Sequence, residues 1–209
     1  MRSSNMMLRV AVTILLLLFV FSCVGCSKED EPDVNARVDY DSIKPSDYIR
    51  LDGYTDMSLT LYGTEASKSE TVWAAVMSRA EVLSYPEEQV AYYTEQSRAT
   101  YRYYAKQNDW SYEETLEKLG TSEEEILSQA KEMVKGDLVY RYIVEDADIA
   151  LTEEEKISLL DRYAKHYVEQ YGYPLDYVKE NMRDLIYDSM LYDKTMEYLI
   201  VHNMFTVEE

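Results

Sequence analysis

Apart from its carboxylates, this chain has few side chains able to do acid–base or covalent chemistry. It holds two histidines, His166 and His202, and two cysteines, Cys23 and Cys26, against 40 aspartates and glutamates in 209 residues. A histidine that activates a nucleophile needs a serine on a sharp elbow or a reactive thiol to serve. The chain has no G-x-S-x-G run and no cysteine beyond Cys26. Both histidines fall in helical stretches and are read as surface or half-buried helix residues. Paired carboxylates could act as acid and base, but with so many acids pairing carries no information. The run Glu145 to Glu153, EDADIALTE, puts acids at alternate places yet lacks the glycine and oxygen ligands of a calcium loop, so it is read as a solvated turn between helices. There is no Gly-rich phosphate loop, no Cys/His metal spacing and no dinucleotide fingerprint. The residues thus predict no catalytic site, no metal, no cofactor and no small-molecule substrate.

What remains is a surface for holding other chains. Tyrosine occurs 21 times, against 3 Phe and 2 Trp. It covers apolar surface while keeping a polar tip, which suits a face that is both wet and adhesive. Tyr92, Tyr93, Tyr101, Tyr103 and Tyr104 ride on one predicted helix. At 100° per residue Tyr93, Tyr101 and Tyr104 fall on one side, with Tyr92 and Tyr103 about 100° away. Tyr163, Tyr167 and Tyr171 form a second stripe at i, i+4, i+8, and Met182, Met190 and Met196 add adaptable side chains to the last helix. These tyrosines, with Met182 and Met190, are the expected client-binding residues. Charge narrows the partners: 21 Lys and Arg against 40 acids give a net −19. Nucleic acid is repelled, solubility is favoured, and positively charged unfolded segments are attracted.

The elements that must position these side chains read as helices. From Ser67 onward S/T-x-x-E pairs fall where the apolar periodicity breaks: Ser67 with Glu70, Ser84 with Glu87, Ser111 with Glu114, Ser122 with Glu125 and Thr152 with Glu155. The predicted helices are Glu70 to Leu83, Pro86 to Gln107, Tyr112 to Leu119, Glu123 to Glu145, Glu153 to Tyr171 and Leu175 to His202. The fourth carries Ile126, Leu127, Ala130, Met133, Val134 and Leu138 on one face and would be an arm roughly 35 Å long at 1.5 Å per residue. Gly136 inside it costs about 1 kcal/mol relative to alanine and is read as a point of close helix packing, with a hinge as the other reading. Ahead of the helices, residues 39–66 hold one strand-like alternation, Met57, Leu59 and Leu61, and are expected to be an extended arm with at most a small hairpin. Residues 27–38 are charged and form a flexible linker. Residues 1–26 have a positive start at Arg2 and Arg9 and an apolar run too short to span a bilayer, the pattern of a secretion signal. The fold class is all-α, an irregular multi-helix array with helical arms over 67–209.

Two resemblances sharpen these expectations. Phe21-Ser22-Cys23-Val24-Gly25-Cys26 resembles the lipobox of bacterial lipoproteins, in which a small residue precedes the lipidated cysteine. Cys26 after Gly25 is the expected site and Cys23 after Ser22 the alternative, a disulfide between the two being the bland reading. The order T-V-W-A-A-V (Thr71 to Val76), S-Y-P-E-E-Q-V (Ser84 to Val90), W-S-Y-E-E-T-L-E-K-L-G-T-S-E-E-E (Trp110 to Glu125), A-K-E-M-V-K-G-D-L-V (Ala130 to Val139) and I-A-L-T-E-E-E (Ile149 to Glu155) resembles the C-terminal domain of trigger factor and trigger-factor-like lipoproteins. That resemblance implies a SurA-like, ATP-independent chaperone whose helices cradle unfolded or exported polypeptides, anchored to the membrane on its extracytoplasmic side. Ile49 to Tyr54 is similar to the family's lead into an FKBP-type isomerase domain, but residues 39–66 are too few to hold one, so no isomerase activity is expected. The rival readings are an adaptor lipoprotein for one dedicated partner and a foldase that retains prolyl isomerase activity. Neither client identity nor oligomeric state follows from the residues.

Overall fold

The computed structural model describes residues 42–62 and 67–208, with only the backbone of Tyr171. The signal, lipidation and linker expectations over 1–38, including Cys23 and Cys26, lie outside the described residues, as do the two ends of the 39–66 arm. Seven helices and four short strands make up what is described: β1 (Ile49–Leu51), β2 (Ser58–Tyr62), α1 (Lys68–Arg79), β3 (Ala80–Val82), α2 (Glu87–Asn108), α3 (Tyr112–Leu119), α4 (Glu123–Asp146), α5 (Glu153–Tyr171), α6 (Leu175–Asn181), α7 (Arg183–Val201) and β4 (Met204–Glu208). The fold is mostly helical, as expected.

The caps explain where the helices begin and end. Ser111 and Thr152 each accept from the amide three residues on while Glu114 and Glu155 reach back to the cap amide, so both are complete capping boxes. Ser67 and Ser122 make the first half of that exchange with Glu70 and Glu125. Gly120 and Gly172 close α3 and α5 at φ 67° and 73°, a region that costs a side chain energy and glycine nothing.

Two of the departures from the expected elements are places where a distant partner decides, and the third is a local break. Among the described residues of the arm, β1 and β2 do not pair with each other. β1 pairs antiparallel with β3, Ile49 opposite Val82, and β2 pairs parallel with β4, Ser58 opposite Met204. An all-α fold is therefore corrected to a helical fold with two small two-stranded sheets. The first predicted helix ends four residues early because Ala80 turns extended and joins β1. The single helix expected from Leu175 to His202 is two, broken at Met182, whose φ of −117° leaves the helical region.

By their internal contacts the described residues form two compact units: residues 88–131, and residues 42–62 and 67–87 with 132–208. In the first, the buried apolar residues are Ala99, Ala105, Leu116, Ile126 and Ala130, and α2 turns inward Gln89 and the small or hydroxyl-bearing Thr94, Ser97, Ala99, Thr100 and Ala105. Thr94 and Thr100 donate to the carbonyls one turn back, of Val90 and Gln96, which satisfies their hydroxyls without a partner helix. Glu123 fastens the start of α4 to α2 and α3: Arg98 donates to its carboxylate at 2.7 and 3.0 Å and the Tyr112 hydroxyl at 2.7 Å.

The second unit has a larger core. Val134, Leu138, Val139 and Ile143 of α4 are fully buried there, while α1 packs on α7 and β2, and α5 on α6 and α7. Asn203, buried just past α7, ties the loop before β2 to the C-terminal end. Its side chain accepts from the Met57 amide and donates to the carbonyls of Tyr54 and Leu199. Beside it the Tyr54 hydroxyl donates to Asp146 at 2.5 Å, and burial foremost, then that bond, raises the Tyr54 phenol above its ordinary value.

Candidate functional site

Because α2 turns its small residues inward, its tyrosines are left at the margins. Tyr92, Tyr93, Tyr101, Tyr103 and Tyr104 are all half-buried, none of them fully covered and none fully exposed. The two sides expected from helical geometry are bridged by ring contacts: Tyr92 meets Tyr93 edge-on at 5.2 Å, and Tyr103 meets Tyr104 at 6.1 Å. The aromatic surface of this helix is thus two double rings at its ends, not two separate stripes. Between them Arg98 bonds Glu123 and Arg102 bonds Glu95. Burial raises the Tyr101 phenol above its usual value. A phenol held protonated beside apolar ring surface can donate to a carbonyl of another chain while the ring packs on an apolar side chain.

The second expected set fares differently. Tyr167 and Met190 are core residues, 9% and 2% exposed, clustered with Ala164, Val178 and Ile186. They pack there because the i, i+4 stripe of α5 faces α6 and α7, and the Tyr167 hydroxyl shares a 2.7 Å hydrogen bond with Ser189. Met196 is buried as well. Tyr167 and Met190 are corrected from client contacts to packing. Tyr163 and Met182 are half-buried against the same cluster, Tyr163 donating to Asp193 at 2.5 Å. The side chain of Tyr171 lies outside the described residues.

The structure exposes apolar side chains that the helical periodicity did not point to, on both faces of one small sheet. In the second unit Tyr62, Met204 and Val207, all on the β2–β4 pair, and Val201 just before it are 60% exposed or more. The only signal was the alternation of Phe205 and Val207, too short to stand out after a long helix.

Chemistry of other kinds finds no assembly. Among the described residues no group of three or more His, Cys, Asp or Glu is placed to hold a metal ion. His166 stands edge-on to Tyr167, and His202 stacks on Tyr198 at 4.0 Å with Nδ1 2.8 Å from the Tyr198 carbonyl. The acidic run after α4 is a turn between helices: Asp148 sits at φ 51° and the Ile149 amide bonds back to the Val144 carbonyl. No described helix is long and apolar enough to cross a membrane. No family model matches this chain, and no curated protein or solved structure matches it either.

Proposed function

We propose that this protein is a lipid-anchored, extracytoplasmic holdase, an ATP-independent chaperone of the trigger factor C-terminal kind that binds unfolded or exported polypeptides and carries out no isomerase step. The observation that supports this reading most is α2. Five tyrosines share one helix whose buried positions are taken by small or polar residues, and the rings are only half covered by their own fold. Half-covered tyrosines bind many sequences weakly, because ring and hydroxyl serve apolar and polar segments alike. The acidity adds a preference for basic segments. Cys26, or Cys23, would hold the molecule at the membrane surface through its lipid.

The test is aggregation of an unfolded model protein, followed by light scattering, with the full chain in phosphatidylcholine nanodiscs and empty nanodiscs as control. Suppression without nucleotide is expected, and it should weaken in the variant Tyr92→Ser, Tyr93→Ser, Tyr103→Ser, Tyr104→Ser. Wild-type protein that gives no suppression at several-fold molar excess overturns the reading.

A further inference from the structure

The β2–β4 pair is an unfinished sheet. Two-stranded sheets are marginal by themselves, and parallel strands are normally covered on both faces, since their backbone groups need partners as much as their side chains need burial. Here β4 pairs on one edge with β2, and among the described residues nothing pairs with its other edge. The register tells which backbone groups are left. The Met204 amide donates to the Met57 carbonyl at 2.8 Å, so in a parallel ladder with a period of two, Met204, Thr206 and Glu208 direct their amides and carbonyls to β2. Phe205 and Val207 direct theirs outward.

Their side chains lie on the same face as Leu59 and Leu61, the residues they oppose. Leu61 is buried at 5%, yet Val207 beside it is 61% exposed. The covered face of the sheet therefore stops one strand short. The strand itself, Met-Phe-Thr-Val-Glu, holds no lysine, proline or bulge; its one charge is Glu208 at the end, and the Lys68 ammonium lies over the Phe205 ring at 5.3 Å. The other small sheet differs, because an ion pair between Arg50 and Glu81 at 2.6 Å lies across its middle.

We infer that the outer edge of β4 accepts an extended segment of a client polypeptide as a third strand, one with apolar residues at alternate positions and lysine or arginine between them. The outward amides and carbonyls of Phe205 and Val207 would bond its backbone, and its apolar side chains would cover the exposed Val207, a mode that reads sequence only through alternate side chains. Charge chooses this occupant over a second copy of the chain. Two copies, each at −19, would bring Glu208 toward like charge, whereas a cationic segment meets that acid and the net negative charge favourably. This inference names a binding mode for the holdase proposed above and rests on that reading.

The experiment uses the full chain in phosphatidylcholine nanodiscs and a fluorescein-labelled peptide, Lys-Val-Lys-Val-Lys-Val-Lys, followed by fluorescence anisotropy. Val207→Pro removes an outward donor at an edge, where proline is tolerated; Val207→Lys keeps the backbone and adds a guard, and circular dichroism with melting verifies that both fold. Saturable binding to the wild type is expected, at least tenfold weaker in both variants, for a peptide with glutamate in place of lysine, and for a peptide N-methylated at every amide. Equal binding in all of these, or none to the wild type, overturns the inference. So does a wild-type dimer by light scattering that Val207→Lys dissociates, which would assign the edge to a second copy. Aggregation suppression separates the two claims. If suppression is normal but peptide binding ignores Val207, the edge is wrong and the holdase stands; if Val207-dependent binding occurs without suppression, the holdase is wrong and the edge stands.

Discussion

At the scale of single residues, the second unit hangs on a few polar side chains whose worth can be argued from what they would leave behind. Asn203 is buried and makes three hydrogen bonds, with the Met57 amide and the carbonyls of Tyr54 and Leu199. Alanine there strands a buried donor and acceptor and should cost about 2–4 kcal/mol, read as a lower urea midpoint at unchanged m. Aspartate keeps the acceptor for Met57 but sets a carboxylate against two carbonyls, so it should destabilise too. An Asn203→Ala variant within about 0.5 kcal/mol of wild type would mean the loop is not held this way. Glu155 gives a prediction in pH. The Lys194 ammonium, foremost, and the Thr152 amide and hydroxyl hold its carboxyl down to about 2 from an ordinary 4.5. A depressed carboxyl stabilises the fold above its unfolded value and loses that contribution as pH falls toward the folded one. The melting temperature of Glu155→Gln should therefore lie below wild type by a constant gap from pH 7 to about 5, and the gap should close between about pH 5 and 2. A gap that persists at about pH 2 would refute the charge-based account.

At the scale of elements, Gly136 offers the clearest contrast between pattern and packing. Sequence alone favours close helix packing for a glycine inside α4, yet a Cβ built there meets nothing within 4 Å. Alanine should fit and raise stability by about 1 kcal/mol, measured in urea. If Gly136→Ala is more stable but suppresses aggregation less, the glycine serves as a hinge; a loss of stability would show a clash that the open space denies. The same contrast runs through the fold. Tyr112–Leu119 and Glu153–Tyr171 could be placed to the residue because capping boxes and terminal glycines act within one turn. β3 and β4 could not, because each is chosen by a strand far away in sequence, Val82 by Ile49 and Met204 by Ser58. The break at Met182 carries neither proline nor glycine to announce it. Of the tyrosines and methionines singled out, the half-burial of those on α2 was legible because their own helix supplies an alternative buried stripe. Tyr167 and Met190 were not, since whether a regular apolar stripe is core or surface depends on α6 and α7 folding over it.

At the scale of the whole molecule, net charge acts whatever the arrangement of the units. With 40 acids against 21 bases, the chain surrounds itself with a negative potential that draws in cationic segments and turns acidic ones away. That field reaches about 10 Å at 0.1 M salt and about 3 Å at 1 M, whereas the contacts of half-buried tyrosines are short-ranged and scarcely screened. The two contributions can therefore be separated by salt. For the full chain in nanodiscs, association with a lysine-rich unfolded protein, timed by stopped-flow fluorescence, should slow by roughly tenfold between 0.1 M and 1 M salt. An acidic unfolded protein of similar hydrophobicity should bind more slowly at 0.1 M and gain slightly as salt rises. What affinity survives at 1 M is then the share carried by tyrosine and by apolar surface, and the Tyr92, Tyr93, Tyr103 and Tyr104 substitutions should lower that share without changing the salt slope. Identical salt slopes for the basic and acidic proteins would mean that the acidity keeps this molecule soluble and plays no part in choosing what it binds.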